Sequence, residues 1–189
     1  PHTPIEAEDK IINELFKIKD EKERKYAANI ISLDHEIGKI INAIESKGLL
    51  EKTIIIFFSD NGPVFDVDPI AATIAPDIID SKGNTLGLKG SKGSAYEGGI
   101  RVPFIVSGPK VKAIECKVPV VGYDLLPTII DIVNSDFIPK ENIDGGSFKN
   151  ILFGDGKGTV KRSNDGLIFH VPYENKIALN RAHSSIILD

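Results

Sequence analysis

The chain has 189 residues, 41% of them hydrophobic and 26% charged, which is enough apolar material for one domain with a buried core and excludes wholesale disorder. Its 23 Lys and Arg against 27 Asp and Glu give a net charge of −4, so a globally basic surface for nucleic acid is excluded. No apolar run approaches the roughly 20 residues that span a bilayer, and no membrane span is predicted. A single cysteine, Cys116, offers neither an internal disulfide nor a cysteine metal site. The chain opens Pro1-His2-Thr3-Pro4 and contains no Met, which predicts a piece of a longer protein.

Residues 9–25 are rich in Lys, Glu, Asp and Arg and read as a solvated stretch leading into a helix. From Tyr26 the apolar positions Ile30, Leu33, Ile37, Ile40, Ile41 and Ile44 recur every three or four residues. This is one face of an amphipathic helix that must pack against something, with Gly48 as its C-terminal stop. Thr53 to Phe58 is a continuous β-branched and aromatic run, the pattern of a strand buried on both faces in a parallel sheet. It ends in Ser59-Asp60-Asn61-Gly62-Pro63, at the carboxyl strand end where open α/β sheets place their ligands. Residues 64–82 read as a loop, and Gly83 to Gly99 holds six glycines in 17 residues. Val102 to Val106 reads as a second short strand ended by Ser107-Gly108-Pro109. Asp124 to Val133 reads as a helix with Pro127 in its first turn and Leu125, Leu126, Ile129, Ile130 and Val133 on the buried side. Residues 134–165, polar except for a patch at Phe148 to Phe153, suit a subdomain boundary, after which Gly166 to Val171 and Lys176 to Leu179 resemble two strands joined by a turn.

Asp60 and Asn61 are adjacent oxygen donors, which suits a hard cation such as Ca²⁺ or Mg²⁺ better than zinc; Asp-Asn-Gly-Pro is equally good turn chemistry without a metal. Lys92, with Lys89 as competitor, stands among glycines whose backbone N–H groups can approach an anion closely; the alternative is a glycine loop with solvated lysines. The Walker pattern is not met. His2 is held in extended backbone by its prolines, where an imidazole can act as general acid or anion ligand near neutral pH. His35 reads as helix surface, and a structural role is expected for His170 and His183. No Gly-x-Ser-x-Gly elbow occurs, and nothing pairs Cys116 with a base.

In this order the pieces resemble the sulfatase family of the alkaline-phosphatase-like superfamily. The resemblance rests on His2-Thr3-Pro4-Ile5, on the helix with Ser32-Leu33-Asp34 and Ile37-Gly38, and on Ile56-Phe57-Phe58-Ser59-Asp60-Asn61-Gly62. It rests further on Gly90-Ser91-Lys92-Gly93-Ser94-Ala95-Tyr96-Glu97-Gly98-Gly99-Ile100-Arg101-Val102-Pro103 and on Asp124-Leu125-Leu126-Pro127-Thr128. It covers residues 1–135 well and the remainder loosely.

The resemblance implies an α/β fold: a mostly parallel sheet flanked by helices, with the start of a smaller antiparallel C-terminal subdomain. Residues 1–150 would be the C-terminal part of the catalytic domain, and 151–189 the start of the subdomain. It implies Asp60 and Asn61 as ligands of a divalent cation, usually Ca²⁺ with Mg²⁺ the alternative. Lys92, rather than Lys89, would contact the substrate sulfate, and His2 would contact sulfate and help protonate the leaving oxygen. Glu97 and Arg101 would hold the loop in shape. The family's formylglycine arises from Cys/Ser-x-Pro-x-Arg, which this chain lacks, so the nucleophile and the paired aspartates of the metal site are expected upstream. The implied activity is hydrolysis of sulfate esters by the whole protein, with this chain inactive alone. Its implied partners are a sulfated small molecule or glycan and the remainder of its own catalytic domain. The implied location is periplasmic or secreted if the source is bacterial. A phosphatase or phosphodiesterase of the same superfamily, and a non-catalytic relative that binds sulfated glycans, are the alternatives. Asn61 where those phosphoryl enzymes place His argues against the first.

Overall fold

The computed structural model describes residues 6–63, 87–134, 136–137, 143–174 and 181–188. They form two compact units, Pro1–Ile54 and Ile55–Asp189.

The first unit is helical. Helix α1 (Asp9–Glu14) packs on α2 (Glu21–Ser46), burying Ile11 and Ala28. The helix predicted from Tyr26 begins five residues earlier, because the Asp20 carboxylate accepts the Glu23 N–H at 2.9 Å and Glu21 and Glu23 favour the positive end of the helix dipole. It stops where Gly48 predicts. Gly48, at φ +64°, donates to the Glu45 carbonyl at 2.8 Å and Leu49 donates to Ile44 at 3.1 Å, the paired bonds of a Schellman cap. His35 is exposed, as expected. On the apolar stripe, Ile30 and Ile40 are 41% and 62% exposed.

The second unit holds the strands. Strand β1 (Ile55–Phe58) pairs antiparallel with β2 (Phe104–Ser107), Ile55 opposite Ser107 and Phe58 opposite Phe104. Strand β3 (Gly166–Val171) pairs antiparallel with β4 (His183–Leu188). Among the described residues both pairings are antiparallel, and they do not form the parallel sheet that the apolar run at Thr53 to Phe58 predicts. Nor is β1 buried on both faces here, since Phe57 and Phe58 remain 37% and 43% exposed. An unbroken apolar run reports that both faces need cover; it carries no information about the direction of the neighbouring strand. The partner of β3 is β4 at residues 183–188; the strand expected at Lys176 to Leu179 lies outside the described residues, as does the loop at 64–82.

A short helix, α3 (Glu97–Ile100), precedes β2, and α4 (Leu125–Ile132) and α5 (Lys149–Phe153) follow it. The core of this unit is Phe148, Ile151 and Val160, with Phe104, Val118, Val120, Leu125 and Leu152 packed against them. Phe58, Phe104 and Phe148 form a ladder of ring contacts at 6.0 and 5.9 Å that ties β1 and β2 to this core. The predicted helix at Asp124 to Val133 is present; of its expected buried side Leu125 packs against the core and Ile130 is half-buried, but the rest differs. Leu126, Ile129 and Val133 are 51%, 47% and 63% exposed, whereas Thr128 is 1% exposed. Thr128 is drawn inward because its hydroxyl donates to the Asp124 carbonyl at 2.7 Å and accepts the Phe148 N–H at 3.0 Å.

Asp124 is the polar centre of the unit. Fully buried, its carboxylate accepts from Val121 N (2.9 Å), Gly146 N (3.0 Å), Arg162 Nε (3.0 Å) and Arg162 Nη2 (2.7 Å). Arg162 donates also to the Pro119 carbonyl at 2.9 Å. This forked pair joins the start of α4 to the chain beyond α5. Nearby, Asp131 accepts from the Ser147 hydroxyl and the Lys149 ammonium, and these two partners hold its carboxyl below the usual range.

Candidate functional site

The site is built where the end of β1 meets the glycine-rich segment that leads into α3. Past Phe58 the chain turns at Ser59 to Gly62: the Ser59 hydroxyl donates to the Asn61 carbonyl at 2.9 Å, Asn61 N donates to Asp60 Oδ1 at 3.1 Å, and Asn61 Nδ2 donates to the Gly62 carbonyl at 2.9 Å. The turn chemistry expected here is therefore realised, and it leaves the Asp60 carboxylate at the surface. Asp60 is exposed and Asn61 half-buried.

The glycine-rich segment is stitched to this turn through the backbone. Gly62 N donates to the Gly99 carbonyl at 2.8 Å, and Lys92 N donates to the Pro63 carbonyl at 2.9 Å. A further bond, Gly98 N to the Lys89 carbonyl at 2.7 Å, closes the segment on itself. Such close approach admits no side chain. A Cβ on Gly62 would stand 1.9 Å from the Gly98 oxygen, and one on Gly98 would stand 2.2 Å from the Gly90 oxygen.

Lys92 occupies the second position of a turn closed by Ser94 N donating to the Ser91 carbonyl at 3.0 Å, and Gly93 at φ +83° supplies the positive angle that the third position requires. The buried Ser94 hydroxyl reinforces the turn, donating to the Ser91 carbonyl at 2.9 Å and accepting the Ser91 N–H at 3.2 Å. Lys89 is set apart from Lys92 by its surroundings: its ammonium lies 4.4 Å from the centroid of the Tyr96 ring. Glu97, at the start of α3, pairs with Arg101, just past its end, at 3.0 Å, and both side chains are exposed.

The structure thus brings Asp60, Asn61 and Lys92 onto one backbone-linked surface. His2 lies outside the described residues. Among the described residues no three His, Cys, Asp or Glu side chains converge to hold a metal. Asp60 and Asn61 fit as two oxygen ligands of a hard cation and would need others.

Sequence reasoning missed that the loop is also held by the distant strand β4. Ala95 N donates to His183 Nε2 at 3.1 Å, and the Ser185 hydroxyl donates to the Ala95 carbonyl at 2.9 Å. Both side chains come from β4, separated from Ala95 by 88 and 90 residues, so no local pattern could reveal them. His170, on β3, is exposed and within 2.7 Å of the Ser184 hydroxyl. Cys116 donates from Sγ to the Gly156 carbonyl at 3.2 Å.

Comparison with known proteins follows the same lines. The chain is 30% identical over 159 residues to human arylsulfatase A, an alignment covering 80% of this chain and 27% of that protein. It is 34% identical over 149 residues to human arylsulfatase D, covering 77% and 23%. A shorter match, 46% over 86 residues, is to the N-acetylgalactosamine-6-O-sulfatase of Bacteroides thetaiotaomicron, covering 44% and 16%. The chain therefore spans about a quarter of the length of the two human relatives. Among solved structures, Ps i-CgsB in complex with k-i-k-neocarrahexaose superposes with a TM-score of 0.76 at 24% identity, over 100% of this chain and 37% of that one. BT4656 in complex with its substrate D-glucosamine-2-N,6-O-disulfate superposes with a TM-score of 0.67 at 26% identity, over 89% and 30%. The sulfatase family model matches residues 1–135, the stretch that contains the Asp60-Asn61 turn and the Lys92 loop, and the chain belongs to the sulfatase family.

Proposed function

We propose that the protein to which this chain belongs is a sulfuric ester hydrolase, and that this chain supplies part of its metal site and its sulfate-binding lysine. The observation that supports this reading best is the backbone stitching of the Lys92 turn to the Asp60-Asn61 turn through Pro63, Gly62 and Gly99. A sulfate ester is an anion, and its departing oxygen develops further negative charge as the S–O bond breaks. Lys92, a compact point charge on a flexible stem, binds the sulfate oxygens and balances that charge. His2 contacts the sulfate and delivers a proton to the leaving oxygen. Asp60 and Asn61 hold a divalent cation, Ca²⁺ or else Mg²⁺, which when bound polarises the sulfate group. The formylglycine nucleophile and the remaining metal ligands are supplied by chain outside these 189 residues. The substrate class is a sulfated small molecule or glycan; the substrates named for BT4656 and for the Bacteroides relative are sulfated sugars, which favours the glycan.

Metal analysis of the full-length protein tests the cation. Calcium is expected at about one equivalent, and Asp60→Ala is expected to remove most of it, because a cation of this kind loses a charged ligand it cannot replace with neutral oxygen. Two zinc ions per protein would instead indicate phosphoryl transfer, and calcium unchanged in Asp60→Ala would remove that residue from the site. The 189-residue chain alone is expected to be inactive. Turnover of an aryl sulfate by the purified chain would overturn the placement of the nucleophile outside it.

A further inference from the structure

The β3–β4 hairpin is distant in sequence from the Lys92 loop, yet it takes both backbone polar groups of one residue of that loop. Ala95 is buried, 7% exposed, and stands three positions after Lys92. An amide N–H can only donate, so His183 Nε2 must present its lone pair to Ala95 at 3.1 Å. The ring proton then sits on Nδ1, which is 2.9 Å from the Arg181 carbonyl, an acceptor placed to receive it. One neutral tautomer of His183 therefore satisfies a backbone group on either side of the ring. On the same face of β4, two residues on, the Ser185 hydroxyl donates to the Ala95 carbonyl at 2.9 Å.

Elsewhere the Lys92 loop is held to the turn that follows β1, by Lys92 N donating to the Pro63 carbonyl and Gly62 N donating to the Gly99 carbonyl. Within the loop the Ser94 hydroxyl locks the Ser91 to Ser94 turn, and Ser94 adjoins Ala95 directly. Movement at Ala95 is thus passed through one rigid turn to Lys92. The hairpin is itself well anchored, since Leu167 on β3 is 2% exposed and the pairing runs from Gly166–Leu188 to Val171–His183.

We propose that His183 and Ser185 are positioning residues that clamp Ala95 and so fix the Lys92 turn for sulfate, making the β3–β4 hairpin a working part of the site. The proposal rests on the reading of Lys92 as the sulfate-binding residue, and His183 itself touches no substrate. Two substitutions separate positioning from packing. His183→Ala removes the acceptor, whereas His183→Gln places an amide oxygen close to where Nε2 stands and retains it.

The experiment compares the full-length protein, its His183→Ala, His183→Gln and Ser185→Ala variants, and Lys92→Ala. It follows aryl sulfate turnover and amide hydrogen exchange in the peptide that contains Ala95. In His183→Ala, exchange at Ala95 is expected to rise tenfold or more and kcat/KM to fall tenfold or more, because small misplacement of a charge-balancing group costs rate steeply. His183→Gln is expected to return both to within about threefold of wild type, and Ser185→Ala to show a smaller loss of the same kind. Unchanged exchange at Ala95 in His183→Ala would overturn the clamp. Equal losses in His183→Ala and His183→Gln would overturn it as well, reducing the residue to packing. If Lys92→Ala is inactive while His183→Ala retains turnover within twofold, the clamp fails and the reading of Lys92 stands. If the wild-type protein hydrolyses no sulfate ester, the reading of the site fails, and exchange alone decides whether Ala95 is held by His183. Should His183→Ala not fold, Ser185→Ala carries both readouts, and wild-type exchange and turnover in that variant would overturn the proposal.

Discussion

Replacing Lys92 by Ala in the full-length protein is expected to lower turnover of an aryl sulfate by about 10²-fold or more, the scale of losing one preorganised electrostatic contact. The lysine is presented at the corner of a turn whose Gly93 and Ser94 leave it little backbone freedom, and its own N–H is engaged by the Pro63 carbonyl. The point from which its side chain reaches out is therefore fixed before substrate arrives. Lys92→Arg is expected to rescue poorly, because a planar fork does not replace a compact ammonium in a turn this tight. Steady-state kinetics on the two variants provide the check, and a loss under twofold in Lys92→Ala would remove the residue from the sulfate site. Lys89→Ala serves as the control: its ammonium is spent on the Tyr96 ring, and its loss is expected to cost far less.

Arg162→Ala is expected to destabilise the unit that carries the site by about 3–5 kcal/mol, the usual cost of leaving one member of a buried ion pair uncompensated. Asp124 and the Arg162 side chain are 0% and 3% exposed, so solvent cannot restore what the guanidinium supplies. The carboxylate would keep only the Val121 and Gly146 N–H groups among the partners described above. Arg162→Lys is expected to recover part of the loss, since an ammonium restores charge but not the two-pronged geometry. Urea unfolding of the full-length protein, followed for this unit, measures the difference; a change below 1 kcal/mol, with an unchanged slope, would show that the pair is energetically neutral. Lys92 kinetics and Arg162 stability address different levels, chemistry and scaffold, and the two effects are expected to be independent.

Much of this protein is legible in local sequence. The α2 helix and its stop at Gly48 follow from three- and four-residue apolar spacing and from the one residue type that takes φ +64° without strain. The strand that leads into the Asp60-Asn61 turn, and the Lys92 loop, follow from motifs carried by adjacent residues. The buried side of α4 was legible only in part. Of the apolar positions, Leu125 packs against the core and Ile130 is half-buried, but Leu126, Ile129 and Val133 are exposed, and the fully buried position is Thr128, whose hydroxyl satisfies two backbone groups. Arg162 and Asp124 are separated by 38 residues, and each alone reads as an ordinary surface charge.

By itself the sequence determined α2, the short strands at β1 and β2, most of α4 and the family resemblance, because those depend on side-chain chemistry and short-range spacing. Tertiary structure alone decided that β1 runs antiparallel to β2, that glycines at 62, 98 and 99 let the Lys92 loop lie against the Asp60 turn, and that His183 and Ser185 grip Ala95. Those are contacts between residues tens of positions apart, and their free energy appears only once the intervening chain has been folded to bring them within hydrogen-bonding distance.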